Sequence, residues 1–271
     1  MRLTITFRTA LGSIKLPVHY NHILQAFIYD NISPELATFL HEKGYIYGKR
    51  SFKLFTFSRL CGKFRLSGEV AEGSREVAEG FSLRKEARDI RFESPVKLQI
   101  ASSDTHFVQE FAENLLRKGN LFLSEQPIII DSIEVHPNPK FSKGVVINTL
   151  SPITVYSTLK KQDGSKKTYY YSPYEQEFSQ LITENLKKKF TLIYSSTGAS
   201  PLRAQARRVY SPLIVSPISV KEKILKYKNT VIKGWAGRFK LKGAPELISV
   251  AYDTGLGSKN SQGFGMFEMV R

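Results

Sequence analysis

From residue 255 the chain reads GLGSKNSQGFGMFE, with glycines at 255, 257, 263 and 265 and one charge, Lys259, ahead of Glu268. Glycine lets a backbone approach a phosphate closely and turn several N–H groups toward one anion, so Gly255, Gly257, Lys259, Asn260, Ser261, Gly263 and Gly265 can form an anion site. The same composition also suits an ordinary turn between a helix and a strand. Near the other end, His41 has the side chain best suited to moving protons near neutral pH, yet at the end of a helical stretch it equally reads as a cap facing the helix dipole. Tyr29, on an apolar helix, packs its ring by default. Lys53, between Phe52 and Leu54 on an expected strand, points away from their face toward solvent. His19 and His22 lie three apart without a third ligand at recognisable spacing. No clustered Asp and Glu set of the two-metal kind accompanies them, so neither metal nor cofactor is expected.

The 40 Lys and Arg against 24 Asp and Glu give a formal charge of +16, which favours a polyanionic partner through counterion release and steering. A membrane surface would attract the same charge, but no amphipathic stretch with a dense basic face and no lipidation signal is present. Nucleic acid is the better match. Basic candidates for contact are Lys233, Arg238, Lys240 and Lys242, interleaved with Trp235 and Phe239, then Lys160-Lys161, Lys166-Lys167, Lys187 to Lys189, and Arg203, Arg207 and Arg208. A charge run is usually a solvated face, and an apolar core position suits Trp235 better than base stacking. The lone cysteine, Cys61, excludes an internal disulfide and is expected as a buried structural thiol. The N-terminus alternates like a strand rather than a signal peptide, and no run of ~18 apolar residues occurs, so a cytoplasmic protein is expected.

These residues need a scaffold. Leu3, Ile5 and Phe7 alternate with polar residues as a strand, and Ile23, Leu24, Phe27 and Ile28 recur at helical spacing. Ser33-Pro34 opens a second helix that Gly44 ends. Strands are expected over 52–66 and 90–100, then a helix capped by Asp104, then a strand over 121–135. This order is the ferredoxin-like βαββαβ plan, with two helices on one face of an antiparallel sheet and the other face available. After the Pro-Asn-Pro linker at 137–139 the plan repeats: strand 145–156, helix 173–190, strands 220–228 and 230–242, a short helix 244–252 and a strand 264–270. The expectation is therefore an α+β chain of two tandem ferredoxin-like domains, 1–139 and 140–271, with the glycine-rich segment between the last helix and last strand. Two EVAEG copies, at 69–73 and 76–80, read as a hairpin extension or loop between strands.

The wording G-x-G-x-K-N-S-x-G-F-G in that place resembles the C-terminal signature of the CRISPR-associated repeat-processing endoribonucleases, a branch of the repeat-associated mysterious protein (RAMP) superfamily. Further matches are Asn21-His22 with Leu24 and Gln25, Phe27-Ile28-Tyr29, Leu40-His41-Glu42, Lys53-Leu54-Phe55-Thr56 and Leu150-Ser151-Pro152-Ile153. The EVAEG insertion departs from the pattern. The resemblance implies metal-independent cleavage of repeat RNA by the ribose 2′-hydroxyl, leaving a 2′,3′-cyclic phosphate and a 5′-hydroxyl and releasing guide RNAs. It implies His41, Tyr29 and Lys53 as the catalytic residues and the glycine-rich segment as an RNA contact. Precursor guide RNA is the partner expected from it, with other CRISPR effector subunits or a second copy of the chain as further candidates. A non-catalytic RNA-binding subunit of an effector complex is the alternative.

Overall fold

The computed structural model describes residues 1–67, 89–160, 164–196 and 211–270. Both EVAEG copies, Lys161, Arg203, Arg207 and Arg208 lie outside them.

The first half runs β1 (Arg2–Arg8), β2 (Ser13–Pro17), α1 (Asn21–Tyr29), α2 (Pro34–Thr38), β3 (Tyr45–Tyr47), β4 (Arg50–Phe52), β5 (Phe55–Phe57), β6 (Phe64–Ser67), β7 (Asp89–Glu93), β8 (Val96–Ser102), α3 (Thr105–Arg117), β9 (Leu121–Leu123) and β10 (Gln126–His136). Alternation in β1 sends Leu3, Ile5 and Phe7 into one core and leaves Arg2, Thr4 and Thr6 on the opposite face. The main sheet has the order β5-β8-β1-β10-β9, antiparallel throughout. Without the hairpin partner β9 this is the ferredoxin-like order. α1 and α3 cover the apolar face, with the rings of Phe27 and Phe111 6.1 Å apart. Asp104 caps α3 by accepting from the N–H groups of His106 and Phe107.

The second half repeats the plan with β11 (Gly144–Thr149), β12 (Tyr156–Lys160), β13 (Lys166–Tyr170), α4 (Gln176–Ser196), β14 (Ile214–Tyr227), β15 (Thr230–Lys242), α5 (Pro245–Thr254) and β16 (Phe267–Met269). Its antiparallel sheet has the order β14-β15-β11-β16, the same arrangement in sequence terms. Phe178, Ile182 and Leu186 of α4 and Leu247, Ile248 and Ala251 of α5 pack with Ile147, Phe239 and Leu241 of the sheet. The chain is thus a tandem of two ferredoxin-like folds. Among the described residues no helix is long and apolar enough to cross a membrane.

Several expected elements are subdivided. The stretch 52–66 is no single strand: Leu54 sits at φ 55°, β5 pairs with β8, and β6 joins β7 in a separate sheet. The 90–100 stretch breaks at Ser94-Pro95, where proline offers no N–H to a ladder. The 121–135 stretch is a hairpin turning at Ser124, and β12 and β13 form a hairpin of their own. The second helix widens after Thr38 into a π-helical turn, Phe39–Lys43, closed by Gly44 at φ 63°. Cys61 is exposed rather than buried, at an isolated bridge to Lys97.

The outer face of the first sheet is not left free. Arg2, Thr56 and Ala101 on that face are 2%, 0% and 0% exposed because the second domain covers them. The Arg2 guanidinium donates to Phe267 O at 2.8 Å and Tyr252 O at 2.6 Å and lies 3.5 Å from the centre of the Tyr252 ring. Burial pulls it down to about 10, still well above neutral pH. The β14–β15 hairpin also reaches back: Tyr227 near its tip donates to Gln25 Oε1 and stands edge-on to His22 of α1.

Candidate functional site

The glycine-rich segment begins where Gly255, at φ 81°, ends α5, and it closes through a 3₁₀ turn at Asn260–Gln262. Gly255, Gly257, Gly263 and Gly265 are all buried and all at φ between 70° and 81°. That backbone region is costly for residues with a Cβ. Space excludes a Cβ as well: one on Gly263 would lie 2.5 Å from the Phe57 ring, and one on Gly265 would overlap Leu256 O. N–H groups of Gly255, Leu256, Ser258, Gln262, Gly263 and Gly265 donate to protein carbonyls. What the segment offers outward is therefore the stretch Ser258–Gln262 and its side chains, while the glycines serve close packing.

Both domains grip this segment. From the first domain, Asn21 Nδ2 donates to Gln262 O and Gly263 O, Gln25 Nε2 to Ser261 O at 2.7 Å, and Thr56 Oγ1 to Phe264 O. From the second, the buried Lys189 ammonium donates to Thr254 O, Gly255 O and Asn260 Oδ1 at 3.1, 2.8 and 2.7 Å. Burial draws this ammonium down to about 7, whereas three oxygen acceptors and the C-terminus of α5 favour its charge.

Beside the segment lies a cleft of about 680 Å³ between the two domains. Arg50 and Lys53 line it from the first domain, Lys188 and Lys259 from the second, and Tyr156 from β12. Lys259, itself left-handed at φ 60°, holds its Nζ 5.1 Å from the centre of the Tyr156 ring. Partial burial lowers both Lys53 and Lys259 from the usual lysine value.

Lys53 does not open a strand. It falls in the connection between β4 and β5, and its Nζ donates to His41 O at 3.2 Å. His41 sits exposed within the π-helical turn. Tyr29 is the last residue of α1, half-buried, with its ring 6.2 Å from that of Phe55, which lines the cleft. Burial pushes its hydroxyl up to about 12, helped by nearby Tyr227. At neutral pH Tyr29 can therefore donate a proton but is no base. Lys53 is thus in the cleft, His41 meets it through a carbonyl, and the half-buried Tyr29 adjoins the cleft at Phe55.

The strand-pair candidates lie elsewhere. Arg238 and Lys240 are exposed on β15, alternating with the buried Phe239 and Leu241, and Lys233 pairs with Glu222 at 3.2 Å. Phe239 is a core residue unavailable for stacking, and Trp235 is half-buried with Nε1 donating to Tyr171 O. Among the described residues no group of three or more His, Cys, Asp or Glu could hold a metal ion. Sequence reasoning passed over Arg50, Tyr156, Asn185 and Gln262 in the cleft and the burial of Lys189. Asn185, Lys188 and Lys189 share helical spacing with Leu181, a readable common face.

Residues 136–269 match the family described as CRISPR associated protein Cas6, C-terminal. The chain is 27% identical over 270 residues to the CRISPR-associated endoribonuclease Cas6 1 of Methanocaldococcus jannaschii, covering 98% of this chain and 91% of that relative. It is 26% identical to the CRISPR-associated endoribonuclease Cas6 of Pyrococcus furiosus, covering 95% and 84%. A solved structure of a Cas6-related gene product from Pyrococcus furiosus has a TM-score of 0.75 at 20% identity, over 100% of this chain and 98% of that one. A RAMP protein described as binding different RNA substrates has a TM-score of 0.72 at 20% identity, over 100% of both chains. These two structures share the fold.

Proposed function

This chain is a member of the Cas6 family, and from that premise we propose that it is a metal-independent endoribonuclease, acting in the cytoplasm, that binds CRISPR repeat RNA and cuts precursor transcripts into guide RNAs. The observation that carries this reading is the Lys53 ammonium, in a cationic cleft beside the glycine-rich segment and hydrogen-bonded to the backbone of His41. The 2′-hydroxyl upstream of the cut gives its proton to His41 and its oxygen attacks phosphorus. The bond from phosphorus to the 5′-oxygen breaks, and the leaving oxygen takes a proton from Tyr29, whose raised pKa keeps it protonated. Lys53 balances the charge that grows on the phosphoryl oxygens. The products are a 2′,3′-cyclic phosphate and a 5′-hydroxyl. Residues Ser258–Gln262 of the glycine-rich segment position the strand, and the exposed Arg238 and Lys240 of β15 offer RNA a separate basic surface.

The test compares the cognate repeat with a copy carrying one 2′-deoxy nucleotide before the cut. The normal repeat is cut in excess chelator, and the deoxy copy is bound but stays intact. Cleavage of both copies would sink 2′-hydroxyl attack. Tight binding without cleavage of either would favour the non-catalytic effector subunit, and equal affinity for scrambled RNA at matched salt would reduce the protein to a nonspecific binder.

A further inference from the structure

Two carbonyls in the π-helical turn Phe39–Lys43 are taken by residues that follow it in the chain. Lys43 O accepts from Ser51 Oγ, and His41 O accepts from the Lys53 ammonium at 3.2 Å. A helix end leaves its last carbonyls without helical partners and carries partial negative charge, so a hydroxyl and an ammonium suit it. Both bonds require the stretch 51–53 to lie directly against the turn.

Gly44 is where that contact is tightest. Its N–H donates to Phe39 O, and it is buried although residues 41–43 and 46–50 on either side are exposed. A Cβ on Gly44 would stand 2.6 Å from Phe52 O, 2.9 Å from Ser51 Oγ and 3.0 Å from Lys53 Nζ, atoms of three consecutive residues. Phe52 O is backbone and cannot rotate aside, so a side chain at 44 must displace the peptide that leads into Lys53. Gly48, in the turn of the adjoining β3–β4 hairpin at φ 57°, has nothing within 4 Å of such a Cβ.

We propose that Gly44 is a positioning residue for cleavage: the side chain it lacks leaves the room in which the Lys53 ammonium is held between the His41 carbonyl and the cleft. This rests on the endoribonuclease reading, in which Lys53 balances charge on the phosphoryl group. A shift of about 1 Å at such a group can cost ~10²-fold in rate.

The experiment is a double-mutant cycle on the full chain with the cognate repeat. Single-turnover cleavage at saturating protein and affinity by fluorescence anisotropy are measured for Gly44→Ala, Lys53→Ala and the double variant, with Gly48→Ala as the control for backbone strain. Lys53→Ala should slow cutting by ~10²-fold. Gly44→Ala should slow it by at least ~10-fold with affinity held within ~2-fold, and Gly48→Ala should cut near the wild-type rate. In the Lys53→Ala background Gly44→Ala should cost nothing further, because the group it positions is gone. An equal loss in both backgrounds, or undiminished cutting by Gly44→Ala, overturns the inference. Thermal unfolding checks that each variant folds. Should Gly44→Ala not fold, Ser51→Ala, which removes the bond to Lys43 O, takes its place in the cycle, and a loss independent of Lys53, or no loss, overturns the inference equally. Wild-type cutting by Lys53→Ala would instead overturn the role given to Lys53 in the reaction, and the positioning role with it.

Discussion

Asn260 Oδ1 accepts from the Lys189 ammonium at 2.7 Å while its own Nδ2 donates to Leu256 O and Phe264 O, each at 3.0 Å. One side chain thus ties both ends of the glycine-rich segment to α4. Asn260→Ala leaves two carbonyls and an ammonium short of a partner and is expected to cost about 3 kcal/mol of stability. Urea unfolding measures it, and a loss within ~0.5 kcal/mol, typical of a plain surface substitution, would contradict the role.

Lys189 makes that tie dependent on pH. Its folded pKa is about 7, against about 10.4 for the unfolded chain. Below about 7 both states are charged and the burial cost is present in full. Between about 7 and 10 the unfolded state binds more protons, so raising the pH stabilises the fold. The unfolding free energy of the wild type relative to Lys189→Met should therefore rise from pH 6 to pH 9. A flat difference would rule out titration of Lys189 in this range.

Gly263 and Gly48 separate packing from backbone strain. Both have positive φ, but a Cβ at Gly263 would meet the Phe57 ring at 2.5 Å, whereas nothing lies within 4 Å of one at Gly48. Gly263→Ala should cost about 3 kcal/mol and Gly48→Ala about 1 kcal/mol, as read from thermal unfolding without RNA. Equal losses would remove the case for close packing of the segment against β5.

His41 is exposed, so His41→Ala should leave the melting temperature unchanged and repeat affinity nearly so. Single-turnover cleavage should fall by ~10²- to 10⁴-fold, the worth of one well-placed acid or base. Undiminished cutting would exclude His41 from the chemistry. Tyr29→Phe keeps the ring beside Phe55 and removes only the hydroxyl that would give the proton, so it should slow cutting at constant stability.

The fold was legible where burial follows local periodicity. Leu3, Ile5 and Phe7 announce β1, and the strand and helix order carries both ferredoxin-like sheets because each element has one apolar face. Lys53 was misplaced because Phe52, Leu54 and Phe55 read as strand residues. The reversal at Leu54 is accompanied by bonds to its carbonyl from Ser102 Oγ and Ser103 N, nearly fifty residues away, which no local window contains. Lys189 sits in a run of three lysines that reads as solvated, and only the end of α5, brought over it by the tertiary fold, buries it. The glycine signature was visible, but its reason was not. Its tight backbone answers to Phe57, Thr154 and Leu256, residues distant or ordinary in sequence.

Because the glycine-rich segment is bonded at once to Asn21, Gln25 and Thr56 on one side and Lys189 on the other, the two sheets cannot swing apart without breaking it. RNA then meets a mould already set rather than jaws that shut. Association should follow a single phase whose rate constant falls steeply with ionic strength, as for a basic surface steering a polyanion, with no slower concentration-independent step to follow.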